Sequence, residues 1–212
     1  YRTRSSGSYN VKVTDRLFMD HAFVDSIWHQ IYTSELRPNT SYKYSDLGFY
    51  LLGQTVEELT GMPLDEYVEK TFYKPLHLRT ATFNPKKKFS TDRIVPSERD
   101  RYWRQQVVLG HVHDMGAAML GGVSGHAGLF ANAQDLAGIM QLFLQKGQYG
   151  QQSWIAPGTL DAFTTRFPGE TRRGIGFDMM QLDPSQNMNL SPKASAQTFG
   201  HLGFTGTAAW VD

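Results

Sequence analysis

The sequence predicts an α/β chain of the α+β kind, in which a helical lobe packs on an antiparallel sheet. Three observations carry that prediction. Apolar residues recur at helical spacing in residues 21–32, 46–60 and 133–146. After residue 173 the spacing changes to alternation, in 174–180, 198–203 and 207–212. Gly, Pro and Asn stand at the ends of these runs, where helix caps and turns need them. The expected organisation is a mainly helical region over 1–173, with a long loop over 75–131, followed by sheet strands over 174–212. Together these would make one domain, incomplete at both ends.

The first helix, over 21–32, places Phe23, Ile27 and Ile31 at four-residue spacing, with Asp20 as a cap. The second, over 46–60, puts Leu47, Leu51, Thr55/Val56 and Leu59 on one face and ends at Gly61, where a left-handed residue is needed. Pro63 starts a third helix to about Phe72, and Pro75 stops it. Residues 75–125 read as irregular, with basic and aromatic content at Arg99, Arg101, Tyr102, Trp103 and Arg104; a connection of that length is usually functional or inserted. The helix over 133–146 turns Leu136, Ile139/Met140 and Phe143 inward, between Asn132 as cap and Gly147 as stop. Pro157 begins a short helix to about Thr165. Ile175, Phe177 and Met179 then alternate as in a strand, and Phe204-Thr205-Gly206 makes a tight turn between the last two strands.

Composition narrows the function classes. A formal net charge of +1 excludes nucleic-acid or membrane-surface binding driven by bulk charge. The clusters Lys86-Lys87-Lys88 and Arg172-Arg173 read as solvated loops. The absence of cysteine excludes thiol catalysis, thiolate-bound zinc and disulfides within this sequence. No apolar run approaches the roughly 18–20 residues of a membrane span. Tyr1 opens on a polar stretch and Trp210-Val211-Asp212 ends in mid-pattern, so we expect a piece of a longer protein.

Three stretches could carry chemistry. Tyr44-Ser45-Asp46 stands at the start of a helix, where backbone N–H groups and the helix dipole favour negative charge and would help a phenol share a proton. Phe199-Gly200-His201-Leu202-Gly203-Phe204-Thr205-Gly206-Thr207 sets a histidine between strand glycines, which mark close approach of another backbone or a ligand. Gly110-His111-Val112-His113-Asp114 and Gly121-Gly122-Val123-Ser124-Gly125-His126-Ala127-Gly128 gather three histidines and an aspartate. These could ligate a metal, but no further group completes a ligand set, and no metal site is expected. The glycines suggest instead a loop running close to a site wall.

Taken in order, these stretches resemble the serine β-lactamase/penicillin-binding-protein superfamily, in particular its class-C-like branch of esterases and penicillin-binding proteins. Tyr44-Ser45-Asp46-Leu47-Gly48-Phe49 with Leu51-Leu52-Gly53 is similar to the family's Tyr-x-Asn/Asp element and its helix. Thr60-Gly61, Leu64-Asp65, Tyr67, Pro75-Leu76, Thr80 and Thr82-Phe83 continue the pattern. Val112-His113-Asp114 and Gly121–Phe130, ending in Asp135-Leu136-Ala137, resemble a narrower subgroup of hydrolases and low-molecular-mass penicillin-binding proteins. Phe199–Thr207 resembles the Lys/His-Thr/Ser-Gly strand.

The resemblance implies a β-lactamase/transpeptidase-like fold and acyl transfer from an ester or amide to a serine, without a cofactor. The serine belongs to a Ser-x-x-Lys element. No lysine here has a serine three positions before it, and Thr40-x-x-Lys43 and Thr71-x-x-Lys74 offer only threonine. The element would precede Tyr1, and this sequence alone is expected to be inactive. By resemblance Tyr44 is the base or proton carrier, His201 stands where lysine is frequent, and the Phe204 N–H is an oxyanion donor, worth about 3–4 kcal/mol of barrier. Asp46, His113, His126 and Gly203 would face substrate. Asp46 replaces an asparagine amide, and Leu202 replaces a hydroxyl that helps bind a substrate carboxylate. The expected substrate is a small molecule or a peptidoglycan fragment, with no nucleic-acid partner and a periplasmic or extracellular parent. In similar chains the domain can be fused to a glycoside hydrolase domain. The alternative is a non-catalytic module that keeps the cleft to bind a cell-wall fragment or a partner.

Overall fold

The computed structural model describes residues 1–39, 42–169, 172–183, 185–186 and 190–212. Thr40 and Ser41, in the first Thr-x-x-Lys stretch, lie outside the described residues. The chain divides into two compact units, Tyr1–Phe130 and Ala131–Asp212.

The first unit opens on a hairpin that the apolar spacing does not announce, β1 (Val11–Thr14) paired antiparallel with β2 (Leu17–Met19). Val13 and Met19 point into a core with Val112, Ala117 and Ala118, and Val24, Ile27 and Trp103 pack against it. Helix α1 (Ala22–Tyr32) begins as expected at Asp20, whose carboxylate accepts the Ala22 N–H at 3.1 Å while its other oxygen takes the Ser8 hydroxyl at 2.6 Å. Its inner face is Val24, Ile27 and Ile31 rather than Phe23, which is exposed. The two faces differ by one position, which four-residue spacing alone does not decide.

Helix α2 (Leu47–Thr60) ends at Gly61, whose φ of 64° only glycine adopts without cost. Its expected inner face is corrected: Leu47, Leu51 and Leu59 are exposed, Gly53 is buried, and Tyr50, Gln54 and Val56 are half-buried. The chain uses α2's polar and glycine side for packing, so hydrophobicity gave the wrong face. Helix α3 (Leu64–Val68) follows Pro63 and runs into a π-helical turn, Glu69–Tyr73, ahead of Pro75.

The loop over 75–131 is more regular than expected. It holds an antiparallel hairpin, β3 (Glu98–Asp100) with β4 (Gln106–Val108), and helix α4 (Met115–Met119). Strands of three residues are too short to display a period of two. Arg104, placed in the irregular basic stretch, is buried. Its guanidinium donates to Asp100 at 2.7 Å and to the carbonyls of Val112, at 2.7 Å, and His113. The lysine cluster is also less solvated than a loop reading implies, since Lys86 pairs with Asp15 and Lys88 reaches Glu69 at 3.7 Å.

In the second unit, helix α5 (Ala133–Leu144) starts where Asn132 accepts the Asp135 N–H at 2.8 Å. It is followed by the small hairpin β5 (Gln148–Tyr149) and β6 (Gln152–Ser153) and by helix α6 (Pro157–Phe163). A three-stranded antiparallel sheet, β7 (Asp178–Met179), β8 (Phe199–Gly203) and β9 (Thr207–Val211), closes the unit. Its core is Met179, Phe199 and Val211 with Met140, Phe143 and Phe177 against them. The Phe143–Phe177 and Phe177–Phe199 rings meet edge to face at 5.7 and 5.1 Å. The strand expected over 174–180 shortens to Asp178–Met179, and Ile175 is exposed. Arg172 and Arg173 are not a solvated cluster: Arg172 clasps the buried Asp178 carboxylate, with Nε at 2.6 Å, and Arg173 reaches it at 3.7 Å.

Candidate active site

Tyr44 lies just ahead of α2 with 55% of its surface exposed. Behind it the Ser45 hydroxyl accepts the Leu47 N–H at 3.2 Å, and the Asp46 carbonyl accepts the Phe49 and Tyr50 N–H groups at 2.9 and 3.2 Å. The turn is therefore fixed by its serine and its backbone, which leaves the Asp46 carboxylate outside the capping role.

The glycine-rich loop over 121–128 rests on α2. A Cβ at Gly125 would collide with the Phe49 carbonyl and lie 3.0 Å from the Gly53 amide, so glycine is required for the backbones to approach. Within this loop the Ser124 hydroxyl is 2.8 Å from Nδ1 of His126, and Nε2 of the same ring is 2.7 Å from the Asp114 carboxylate. The carboxylate also caps α4, accepting the Ala117 N–H at 2.7 Å. Burial works against the Asp114 charge, but the His126 and Ala117 hydrogen bonds outweigh it and hold the carboxyl below the usual carboxylate range. The His126 side chain is only 4% exposed. Its ring lies over Tyr50, whose phenol is pushed up to about 12 by burial and by the charges of Asp114 and Asp46.

The remaining histidines of these stretches turn to other partners. His111 bonds Asp15 at 3.1 Å, and His113 approaches Glu98 at 3.7 Å. Among the described residues no group of three or more His, Cys, Asp or Glu side chains converges as a metal site would require.

In the second unit, His201 stands on β8 opposite Ala209, with Nδ1 2.6 Å from the Leu202 carbonyl. Leu202 is 42% exposed opposite Ala208, and Gly203 faces Thr207. The hairpin turns through Phe204-Thr205-Gly206, with the Gly206 N–H on the Gly203 carbonyl at 3.0 Å, φ of 86° at Gly206, and the Phe204 side chain in solvent. Tyr44, Asp46, His113 and His126 thus belong to the first unit, and His201, Gly203 and Phe204 to the second. Sequence reasoning missed the part of Ser124 and Tyr50. The Ser124-Gly-His126 spacing was a signal, but its third member, Asp114, is twelve residues away.

The family model described as "Beta-lactamase" matches residues 3–212. The chain belongs to the beta-lactamase family. A "Putative D-alanyl-D-alanine carboxypeptidase" of Salmonella schwarzengrund is 39% identical over 194 residues, covering 84% of this chain and 44% of that protein. A protein of the same description from Salmonella newport is 38% identical over the same length. The chain thus spans under half the length of these curated relatives. Among solved structures, a penicillin-binding protein homologue from Caulobacter crescentus matches with a TM-score of 0.59 at 19% identity, over 89% of this chain and 54% of the other. A beta-lactamase from Mycobacterium bovis matches with a TM-score of 0.54 at 22% identity, over 84% and 54%. These likenesses show the beta-lactamase/penicillin-binding-protein fold, a mixed helix and antiparallel-sheet architecture. No helix among the described residues is long and apolar enough to cross a membrane.

Proposed function

We propose that this beta-lactamase-family chain is part of an extracytoplasmic serine hydrolase. It acts through an acyl-enzyme on ester or amide bonds of peptidoglycan-related substrates. The observation that carries this reading is Tyr44, an exposed phenol at the amino end of α2, where the resemblance puts the proton carrier. The attacking serine is supplied by a Ser-x-x-Lys element that this sequence does not contain. Tyr44 takes the serine proton and returns it to the leaving group. The backbone N–H of Phe204 stabilises the oxyanion, and His201 orients the substrate from β8. The names of the Salmonella relatives support a cell-wall substrate and a location outside the cytoplasm. Neither the family match nor these relatives supports fusion to a glycoside hydrolase domain.

The non-catalytic alternative draws on Leu202 and Asp46, which depart from the hydroxyl and amide of the motifs. A fluorophosphonate or fluorescent-penicillin probe on the longer protein separates the two. Labelling of a serine outside these 212 residues, reduced at least tenfold by Tyr44→Phe, is expected. A folded protein that takes no label favours the binding module. The 212-residue chain by itself should gain no adduct by intact-mass measurement.

A further inference from the structure

The Ser124–His126–Asp114 chain has the residue types of a catalytic triad with the two ring nitrogens exchanged, Nδ1 toward serine and Nε2 toward aspartate, and it cannot serve as one. Ser124 is nine-tenths buried and the His126 side chain is 4% exposed, which keeps an acyl donor from the hydroxyl. Its bonds fix something else. The Asp114 carboxylate only accepts, so His126 carries a proton on Nε2; with that single proton on the ring, Nδ1 is an acceptor and the Ser124 hydroxyl donates to it. Both ring nitrogens are committed, and the ring cannot turn without breaking a bond at one end.

The ring so fixed lies 4.1 Å from the Tyr50 ring, centroid to centroid, at 35°. The N–H of Tyr50 closes the first turn of α2 on the Asp46 carbonyl. One residue from His126, Gly125 meets Phe49 and Gly53 of the same helix. On its far side Tyr50 meets Trp28 edge to face at 6.4 Å, and Trp28 stacks on Tyr32 at 5.9 Å. Tyr32 in turn donates its hydroxyl to Gln54 of α2. The first two turns of α2 are thus gripped from the glycine-rich loop and from α1, and Tyr44-Ser45-Asp46 is the segment that leads into them.

We propose that His126, locked in its Nε2–H form by Ser124 and Asp114, is a positioning residue that sets where Tyr44 stands through Tyr50 and the first turn of α2. This deepens the reading of Tyr44 as proton carrier and rests on it. A displacement of about 1 Å at a reacting group can cost on the order of a hundredfold in rate, so a rigid support behind an exposed phenol has a use.

The test needs no turnover. Fluorotyrosine is placed at position 44 of the longer protein, and its 19F resonance is followed in folded variants. His126→Ala should shift or split that resonance. His126→Gln, which keeps an N–H toward Asp114, should restore much of the original position, and Ser124→Ala should fall between. Val108→Ala, at a fully buried position of the same unit, controls for general loosening and should move the signal less. Long-range 1H–15N spectra should show the His126 proton on Nε2. A Tyr44 resonance unmoved by the folded histidine variants, or a proton on Nδ1, overturns the proposal. Should His126→Ala fail to fold, the Gln and Ser124→Ala variants decide. In the longer protein, His126→Ala should lower kcat about tenfold with KM changed less than twofold. Absence of serine labelling in the unsubstituted protein would remove the hydrolase reading and leave the 19F result standing.

Discussion

Arg104 and Asp100 form a buried ion pair at 2.7 Å in which the guanidinium also carries the carbonyls of Val112 and His113. The three acceptors are met by three different nitrogens of the planar guanidinium, Nε, Nη1 and Nη2, a spread that the single nitrogen of an ammonium does not match. Arg104→Lys should therefore destabilise the chain almost as much as Arg104→Ala. About 3–5 kcal/mol is expected for Ala, the usual cost of stranding the partners of a buried charge. Urea unfolding followed by tryptophan fluorescence measures it. A loss under 1 kcal/mol for Lys would show that charge, not geometry, matters there.

The same pair sets part of the acid response. Burial opposes ionisation of Asp100, but the Arg104 guanidinium and the N–H groups of Trp103, Arg104 and Tyr102 prevail and hold it at about 2. A carboxyl lowered in the folded state adds stability above its unfolded value near 4, and that stability is lost as pH falls through its folded value. His111 acts at milder pH. Burial lowers it despite Asp15, with Lys86 and Lys12 adding to the effect. The unfolded chain therefore takes up a proton first, and stability should begin to fall as pH drops below about 6.5. Thermal melts from pH 8 to 2 should show two losses. Asp100→Asn should lessen the lower one, to which the lowered carboxyls of Asp114 and Asp15 also contribute, and His111→Gln should abolish the upper.

Gly125→Ala should cost about 1–3 kcal/mol, because the added methyl meets the Phe49 carbonyl and the Gly53 amide, both backbone groups that cannot swing away. Gly48→Ala, in helix α2, meets nothing within 4 Å and should stabilise by up to about 1 kcal/mol. Paired melting curves of the two variants check the contrast. Equal behaviour would mean that the loop does not bear on α2.

Leu202→Thr restores the hydroxyl that the resembled strand carries. Leu202 is exposed, so the exchange should leave the melting temperature within a few degrees. In the longer protein it should raise the rate of acylation by fluorescent penicillin about tenfold, the value of one added hydrogen bond to a carboxylate. An unchanged rate would take Leu202 out of substrate recognition.

The elements that could be read from the sequence are those whose ends are written in local chemistry. Asn132 caps α5 with its own side chain, and Gly206 turns the last hairpin with a positive φ. Both effects act over three or four residues, the range in which sequence is informative. Helix α2 was legible in extent and not in orientation, because its leucines face outward and its packing side is built from Gly53, Tyr50 and Gln54. The hairpins β1–β2 and β3–β4 were too short to show a period. Tyr44 and His201 are candidates by their settings beside a helix start and between glycines, and those settings are legible: Tyr44 lies ahead of α2 and His201 on β8. The His126 network is not, because its bonds reach from Asp114 to His126 across a fold that spacing cannot foresee.

Strand β9 pairs with β8 along one side, and among the described residues no strand pairs with its other side. Thr207-Ala208-Ala209-Trp210-Val211 is uncharged and free of proline, so it lacks the usual deterrents to a further strand. A second copy could add there edge to edge at high concentration, joining sheets across molecules. Solubility of the isolated chain should thus depend steeply on concentration, and a lysine at Ala208 should improve it.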